Sequence, residues 1–266
     1  MFPPAQLPLA AALGDAARFQ TSLRRPGLVG ADVVVPWKDW AGLDAAATKA
    51  AGFARSVTVA VVGVALADGP KVAAQLAKPG IRVVSLEVHA EGAIDPAAVR
   101  ATVAAAKGIP VFVEPKWPSA QVARDVAAVC TTLKAAGAGL KVRCAGPTAL
   151  DRPALAACVE AIAVAGLPFK ATQGLHHPFP RPGVPHGFLG LLAAVRLRQH
   201  LGRDFAPEVI DCLGETDDVA FDLSDGLAWR GEQVPPAALA RLPPFAIGSC
   251  SLAEPDDDLA HAYGAP

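Results

Sequence analysis

The feature that most constrains this chain is a repeated unit, in which a short apolar run is followed by an alanine-rich helical stretch and then by another apolar run. Candidate strands fall at Val33–Val35, Val57–Val64, Arg82–Val88, Pro110–Glu114, Leu140–Cys144, Pro168–Thr172, Val219–Leu223 and Phe245–Gly248. Helical stretches at Lys71–Lys78, Asp95–Lys107, Ser119–Ala136, Arg152–Ala165, Gly187–Leu201, Pro207–Leu213 and Ala237–Arg241 separate most of them, and Ala5–Phe19 precedes the first. Such alternation predicts a parallel sheet covered by helices, and a count of eight predicts a closed (β/α)8 TIM barrel rather than an open doubly wound sheet. A length of 266 residues fits one such domain, residues 1–266. No Gly-x-Gly-x-x-Gly or Walker loop follows any strand, which argues against a nucleotide-binding sheet.

Composition narrows the function classes. Lys plus Arg is 24 against 25 Asp plus Glu, a net charge of −1, so no field gathers nucleic acid or an anionic membrane surface. The longest apolar stretch, Val57 to Ala67, is shorter than the roughly 18–20 residues of a membrane span and reads as a buried strand with its exit. The opening MFPPAQLPLAAALGDAARF has no basic segment and carries prolines and an aspartate, which predicts a cytoplasmic protein. Five cysteines without a CxxC pair (Cys130, Cys144, Cys158, Cys212 and Cys250) read as small apolar fillers.

Polar residues collect at the C-terminal ends of the strands with a spacing of two: Ser85, Glu87 and His89; Glu114 and Lys116; Lys141 and Arg143; Lys170 and Thr172; Asp222 and Ser224; Ser249 and Ser251. Residues two apart on a strand share a face, and barrel enzymes carry their reactive groups at that end. Two of these residues, Lys141 and Lys170, are lysines on adjacent strands. Burying lysine is costly, and a cationic neighbour together with desolvation favours a neutral, nucleophilic amine.

The segment Leu140 to Leu175 resembles the deoxyribose-phosphate aldolases, class I aldolases with a barrel fold. The resemblance rests on Leu140-Lys141-Val142, Gly146, Ala165-Gly166, Phe169-Lys170-Ala171-Thr172-Gln173-Gly174 and Gly248-Ser249-Cys250-Ser251. It implies that Lys170 forms an imine with a carbonyl substrate and that Lys141 is the neighbour lowering its pKa. The pattern departs from the family at Phe221-Asp222-Leu223-Ser224-Asp225-Gly226, where Asp222 replaces a lysine. It departs again at Glu254, Asp256, Asp257 and Asp258, carboxylates that would repel a substrate phosphate. The chain is also similar to a group of bacterial proteins without an assigned activity, marked by FKAT-x-GLHHP, HGF and GSCS-x-x-EP; Phe169–Thr172, Gly174–Pro178, His186–Phe188, Ser249–Ser251 and Glu254-Pro255 match.

Gly174 to Gly187, GLHHPFPRPGVPHG, reads as a stiff lid loop following Lys170 and holding His176, His177 and His186. His176 or His177 can move protons, or can cap backbone groups in a tight turn. Together with Glu87, His89 or Glu114, the three histidines are also candidate ligands for a divalent metal, although no HxH or HExxH spacing is present. Trp37, Trp40 and Trp117 follow strands one and four, where they can floor a pocket or pack against helices.

The expectation is an imine-forming, aldolase-like lyase acting on a small carbonyl metabolite, with Lys170, Lys141, Glu114, His176 and His177 as catalytic residues. Glu87, Arg143, Thr172, His186, Asp222, Ser249 and Ser251 are expected to bind substrate. No cofactor, nucleic acid or membrane partner is expected, and homo-oligomerisation is left open. The alternatives are a metal-dependent hydrolase, isomerase or lyase at His176, His177 and His186, and a metabolite-binding barrel without catalysis.

Overall fold

The computed structural model describes residues 8–20, 32–53, 57–249 and 253–263. Among them the elements run α1 (Leu9–Gln20), β1 (Val33–Pro36), α2 (Ala45–Ala50), β2 (Val57–Ala65), α3 (Gly69–Ala73), β3 (Ile81–Ala90), α4 (Pro96–Ala105), β4 (Val111–Pro115), α5 (Ser119–Ala136), β5 (Gly139–Arg143), α6 (Arg152–Ala165) and β6 (Phe169–Thr172). They continue with α7 (Phe188–Leu201), α8 (Val209–Gly214), β7 (Phe221–Asp222), β8 (Leu227–Trp229), β9 (Glu232–Val234), α9 (Pro236–Leu239), β10 (Phe245–Gly248) and α10 (Ala253–Tyr263). A seven-stranded sheet has the order β1-β2-β3-β4-β5-β6-β10, with every pairing parallel.

The two faces of this sheet differ because side chains alternate along a strand. Val33, Val35, Val59, Val61, Leu86, Val88, Val111, Val113, Leu140, Val142, Phe169 and Ala171 are buried on one face, in the same hydrophobic cluster as Val126, Leu133, Leu155 and Ile162 of the covering helices. The other face carries Ser85, Glu87, Phe112, Glu114, Lys141 and Lys170, also buried. Lys170 on β6 hydrogen-bonds Ser85 on β3. In a flat sheet those strands stand three spacings apart, roughly 14 Å, more than the two side chains span. The sheet therefore curls, with its polar face inside.

Local signals place the strands that carry the lysines. Helix α5 stops at Gly137, whose φ of 76° is the left-handed conformation of a C-cap, and α6 stops the same way at Gly166 with φ of 61°. The start of α6 is set by Asp151, whose carboxylate accepts from Ala154 N at 2.8 Å. Between these stops the chain has only a few residues in which to enter β5 and β6. At Gly139 a Cβ would lie 2.8 Å from the Phe112 ring, so glycine lets that ring fill the interior beneath the lysines.

The expected seventh strand is a correction. Val219 lies in a 3₁₀ turn capped by Asp217, and only Phe221–Asp222 is extended. It pairs antiparallel with β8, which pairs antiparallel with β9, and this small sheet is separate from the parallel one. The physical reason lies in the turns. The chain between Leu223 and Gly226, the last with φ of 100°, turns β7 back antiparallel onto β8, and Arg230 and Gly231, with φ of 48° and 89°, do the same between β8 and β9, so the segment pairs with itself rather than with β6. β10 takes the place beside β6 instead. The N-terminal helix expected at Ala5–Phe19 is α1; residues 5–7 of that span lie outside the described residues.

Candidate active site

Register brings the polar residues together. Lys141 pairs with Lys170 across β5 and β6, Arg143 with Thr172, and His89 with Glu114 across β3 and β4. Lys141 Nζ lies 2.7 Å from Glu114 Oε2 and 2.9 Å from Glu87 Oε2. Lys170 Nζ ion-pairs with Glu87 Oε1, donates to Ser85 Oγ at 3.4 Å and stands 6.0 Å from the centroid of the Phe112 ring. Arg143 Nε donates to Glu114 Oε1. Three cations and two carboxylates thus form one connected cluster inside the curl.

Each carboxylate meets a cation on both oxygens. Glu114 uses both oxygens, one for Arg143 and one for Lys141. Glu87 gives Oε1 to Lys170 and Oε2 to Lys141, the latter an ion pair without an aligned hydrogen bond among the described residues. Burial raises the Glu87 pKa, but Lys141 and then Lys170 outweigh it and hold the carboxyl below its ordinary value. Glu114 is lowered in the same way, with burial overcome by Lys141 and Arg143. For Lys141 burial favours the neutral amine, yet Glu87 and Glu114 together raise its pKa, so it stands as a fixed cation.

The residues after Thr172 are held tightly. Thr172 is buried, with its hydroxyl 3.4 Å from the Val142 carbonyl. Gln173 adopts φ of 63°, left-handed for a residue that is not glycine. With its amide oriented as its neighbours require, Nε2 donates to the Ala145 carbonyl at 2.9 Å and Oε1 accepts from Arg143 Nη1 at 3.2 Å. Gln173 was not singled out from the sequence. Its residue type carries no signal for a left-handed backbone, which glycine or asparagine would have given.

The histidines separate. His176 Nδ1 lies 3.1 Å from Glu254 Oε2 and 3.3 Å from Ser249 Oγ, which follows β10. His177 Nδ1 lies 2.7 Å from Asp258 Oδ2, and Arg181 donates to the same oxygen at 3.2 Å. The loop is therefore strapped across the C-terminal rim onto α10, using the acidic residues of that helix. His186 is buried and its Nε2–H donates to the Leu150 carbonyl at 2.7 Å, while Nδ1 has no hydrogen-bond partner among the described residues. Burial pushes its pKa down. Among the described residues no group of three or more His, Cys, Asp or Glu side chains is arranged to hold a metal.

Asp222 is exposed in the antiparallel sheet, where its carboxylate accepts from Ser224 N at 2.8 Å. Ser251 and Cys250 lie outside the described residues. Trp40 and Trp117 are packed in the core and donate to the carbonyls of Gln75 and Gly92, the packing alternative for those rings.

The chain matches no protein-family model and no curated protein. Among the described residues no helix is long and apolar enough to cross a membrane.

Proposed function

We propose that the protein is an imine-forming enzyme of the class I aldolase type, acting on a small carbonyl compound on a (β/α)8-type barrel, with Lys170 as nucleophile. The observation that carries this reading is the Lys170 amine, buried on the interior face of β6 in contact with Glu87 and Ser85. The seven parallel strands and their curl support the barrel; an eighth strand would have to come from somewhere other than residues 219–223.

The chemistry follows from the contacts. An ammonium must lose its proton before it attacks a carbonyl, and Glu87 is the base in direct contact with Lys170. The free amine adds to the carbonyl carbon to give a carbinolamine. Protonation of the hydroxyl releases water and leaves an iminium. The iminium then draws electrons from the neighbouring C–C or C–H bond, which is the step a lyase uses. Direct contact with the Lys170 amine suits Glu87 to shuttle these protons, whereas Glu114, expected from sequence to be catalytic, is engaged by Lys141 and Arg143. The chemistry requires no cofactor.

Borohydride reduction with a panel of aldehydes and keto acids tests the proposal. The expected result is an adduct whose mass shift maps to Lys170 and is absent in Lys170→Ala. A folded protein that gives no adduct with any of them overturns it.

A further inference from the structure

We propose that Arg143, held in place by Glu114 and Gln173, is a carboxylate-binding group, so that the carbonyl substrate is an oxo acid. This rests on the imine reading of the same site and adds the substrate class. Arg143 shares a strand face with Lys141 and lies two residues nearer the mouth, roughly 6–7 Å along the strand. Register sets it opposite Thr172, one step above the Lys141–Lys170 pair. A substrate whose carbonyl reaches Lys170 from the mouth passes the guanidinium.

The guanidinium is fixed and only partly used. Its Nε donates to Glu114 and its Nη1 to Gln173, and the remaining three of its five N–H groups have no hydrogen-bond acceptor among the described residues. Its side chain is 27% exposed, against 4% for Glu114 beneath it. The left-handed backbone at Gln173 has a reason in this arrangement, since it turns the amide back towards Arg143 and the Ala145 carbonyl. A planar fork held from two sides and open on the third matches the two oxygens of a carboxylate.

Charge points the same way. Once Lys170 is an iminium, the cluster carries three positive and two negative formal charges, and one substrate carboxylate balances them. A dianionic phosphate is disfavoured at the same rim, because α10 opens with Glu254 and Asp256 in its first turn.

The test uses probes that separate carboxylate binding from imine formation. Lactate, which has the carboxylate but no carbonyl, is titrated by calorimetry into the wild type, Arg143→Gln and Gln173→Ala. In parallel, borohydride trapping compares pyruvate with acetaldehyde. The proposal expects lactate to bind the wild type, with affinity at least tenfold lower in Arg143→Gln and several-fold lower in Gln173→Ala. It expects the pyruvate-to-acetaldehyde trapping ratio to fall in the same order, with the half-saturating pyruvate concentration rising more than the maximal rate drops. Gln173→Ala leaves the Arg143–Glu114 pair in place, so the series stays informative if Arg143→Gln folds poorly. Absence of lactate binding, an Arg143→Gln variant with wild-type affinity, or tighter binding of inorganic phosphate than of lactate each overturns the carboxylate site. A Lys170 adduct with no Arg143-dependent lactate binding leaves the imine reading standing alone. Arg143-dependent lactate binding with no adduct leaves the carboxylate site standing alone.

Discussion

The strand-borne cluster and the histidine strap use the same ion-pair chemistry in opposite surroundings. In the cluster, the Lys141, Lys170, Glu87 and Glu114 side chains are 7%, 9%, 1% and 4% exposed. In the strap, His176, Glu254, His177 and Asp258 are 22%, 52%, 21% and 25% exposed. Buried charges have no water to fall back on, so each depends on its neighbours, whereas a part-exposed pair that opens is resolvated. The cluster is thus built to hold a fixed geometry, and the strap to be broken and remade at small cost. That division suits a mouth in which chemistry happens on strands while a loop covers it.

The largest break in this comparison is Lys141→Met. It leaves Glu87 and Glu114 buried beside a neutral thioether, and the expected loss is about 3–5 kcal/mol. For a chain of this length that lowers the melting temperature by roughly 10 °C. The pH dependence of stability locates the same groups. Glu87 and Glu114 have folded pKa values below their ordinary 4.5, so their stabilisation is complete above about that pH and is lost as pH falls through the lowered values. Lys141 is raised above 10.5, so its contribution is complete below that pH and is lost as pH rises through the raised value. Melting curves of the wild type should show both limbs, and Lys141→Met should lose the alkaline one. A borohydride-trapping optimum that also moves to higher pH makes Lys141 an electrostatic neighbour of the Lys170 amine. An unmoved optimum with a large melting loss makes it a purely structural cation.

His186 sharpens the comparison because it belongs to the loop by sequence and to the core by burial. Replacing it with leucine removes the donor to the Leu150 carbonyl, and the expected cost is about 1–3 kcal/mol at neutral pH. Its folded pKa lies below 6.5 because the ring is buried, so the unfolded chain takes up the proton first. Wild-type stability is therefore full above about 6.5 and falls as pH drops through the lower folded value. In His186→Leu that stretch of the pH curve should be shallower, the remaining slope coming from His89, whose pKa burial also lowers. Urea midpoints between pH 7 and pH 5 check both the offset and the slope.

These distinctions explain what could be read from the sequence. The strands from Val33 to Thr172 and the helices Ser119–Ala136 and Arg152–Ala165 were legible because apolar periodicity and glycine stops are local signals. The convergence of Glu87, Glu114, Lys141 and Lys170 was legible too, since spacing two on parallel strands fixes the face. Partner choice was not. Whether Glu87 or Glu114 serves Lys170 depends on the curl of the sheet, which sets distances across three strands and leaves no mark in any one of them. Gln173 was hidden for a related reason, because its role depends on a left-handed backbone that glycine or asparagine would have advertised. The segment 219–223 misled because a few apolar residues do not say whether a strand pairs with its sheet or with its own hairpin; the turn that follows it, Leu223–Gly226, decides that.

The smallest expected effect on stability is at the strap, and it is the one that tests whether the strap is a lid. Asp258→Asn weakens contacts to His177 and Arg181 that water already reaches, so the expected cost is about 0–1 kcal/mol. If the loop only decorates the rim, nothing else changes. If it closes over the mouth, the loosened strap should raise the half-saturating substrate concentration for Lys170 trapping while the melting temperature moves by no more than about 3 °C. Salt provides an independent check on the same molecule. At 1 M ionic strength the screening length is about 3 Å, which weakens the exposed His177–Asp258–Arg181 contacts and hardly touches the buried lysines. High salt should therefore reproduce the Asp258→Asn phenotype in the wild type, add little to it in the variant, and leave the Lys141→Met melting loss unchanged. A salt effect that instead follows Lys141 would mean that water enters the cluster, and the contrast between the two regions would fail.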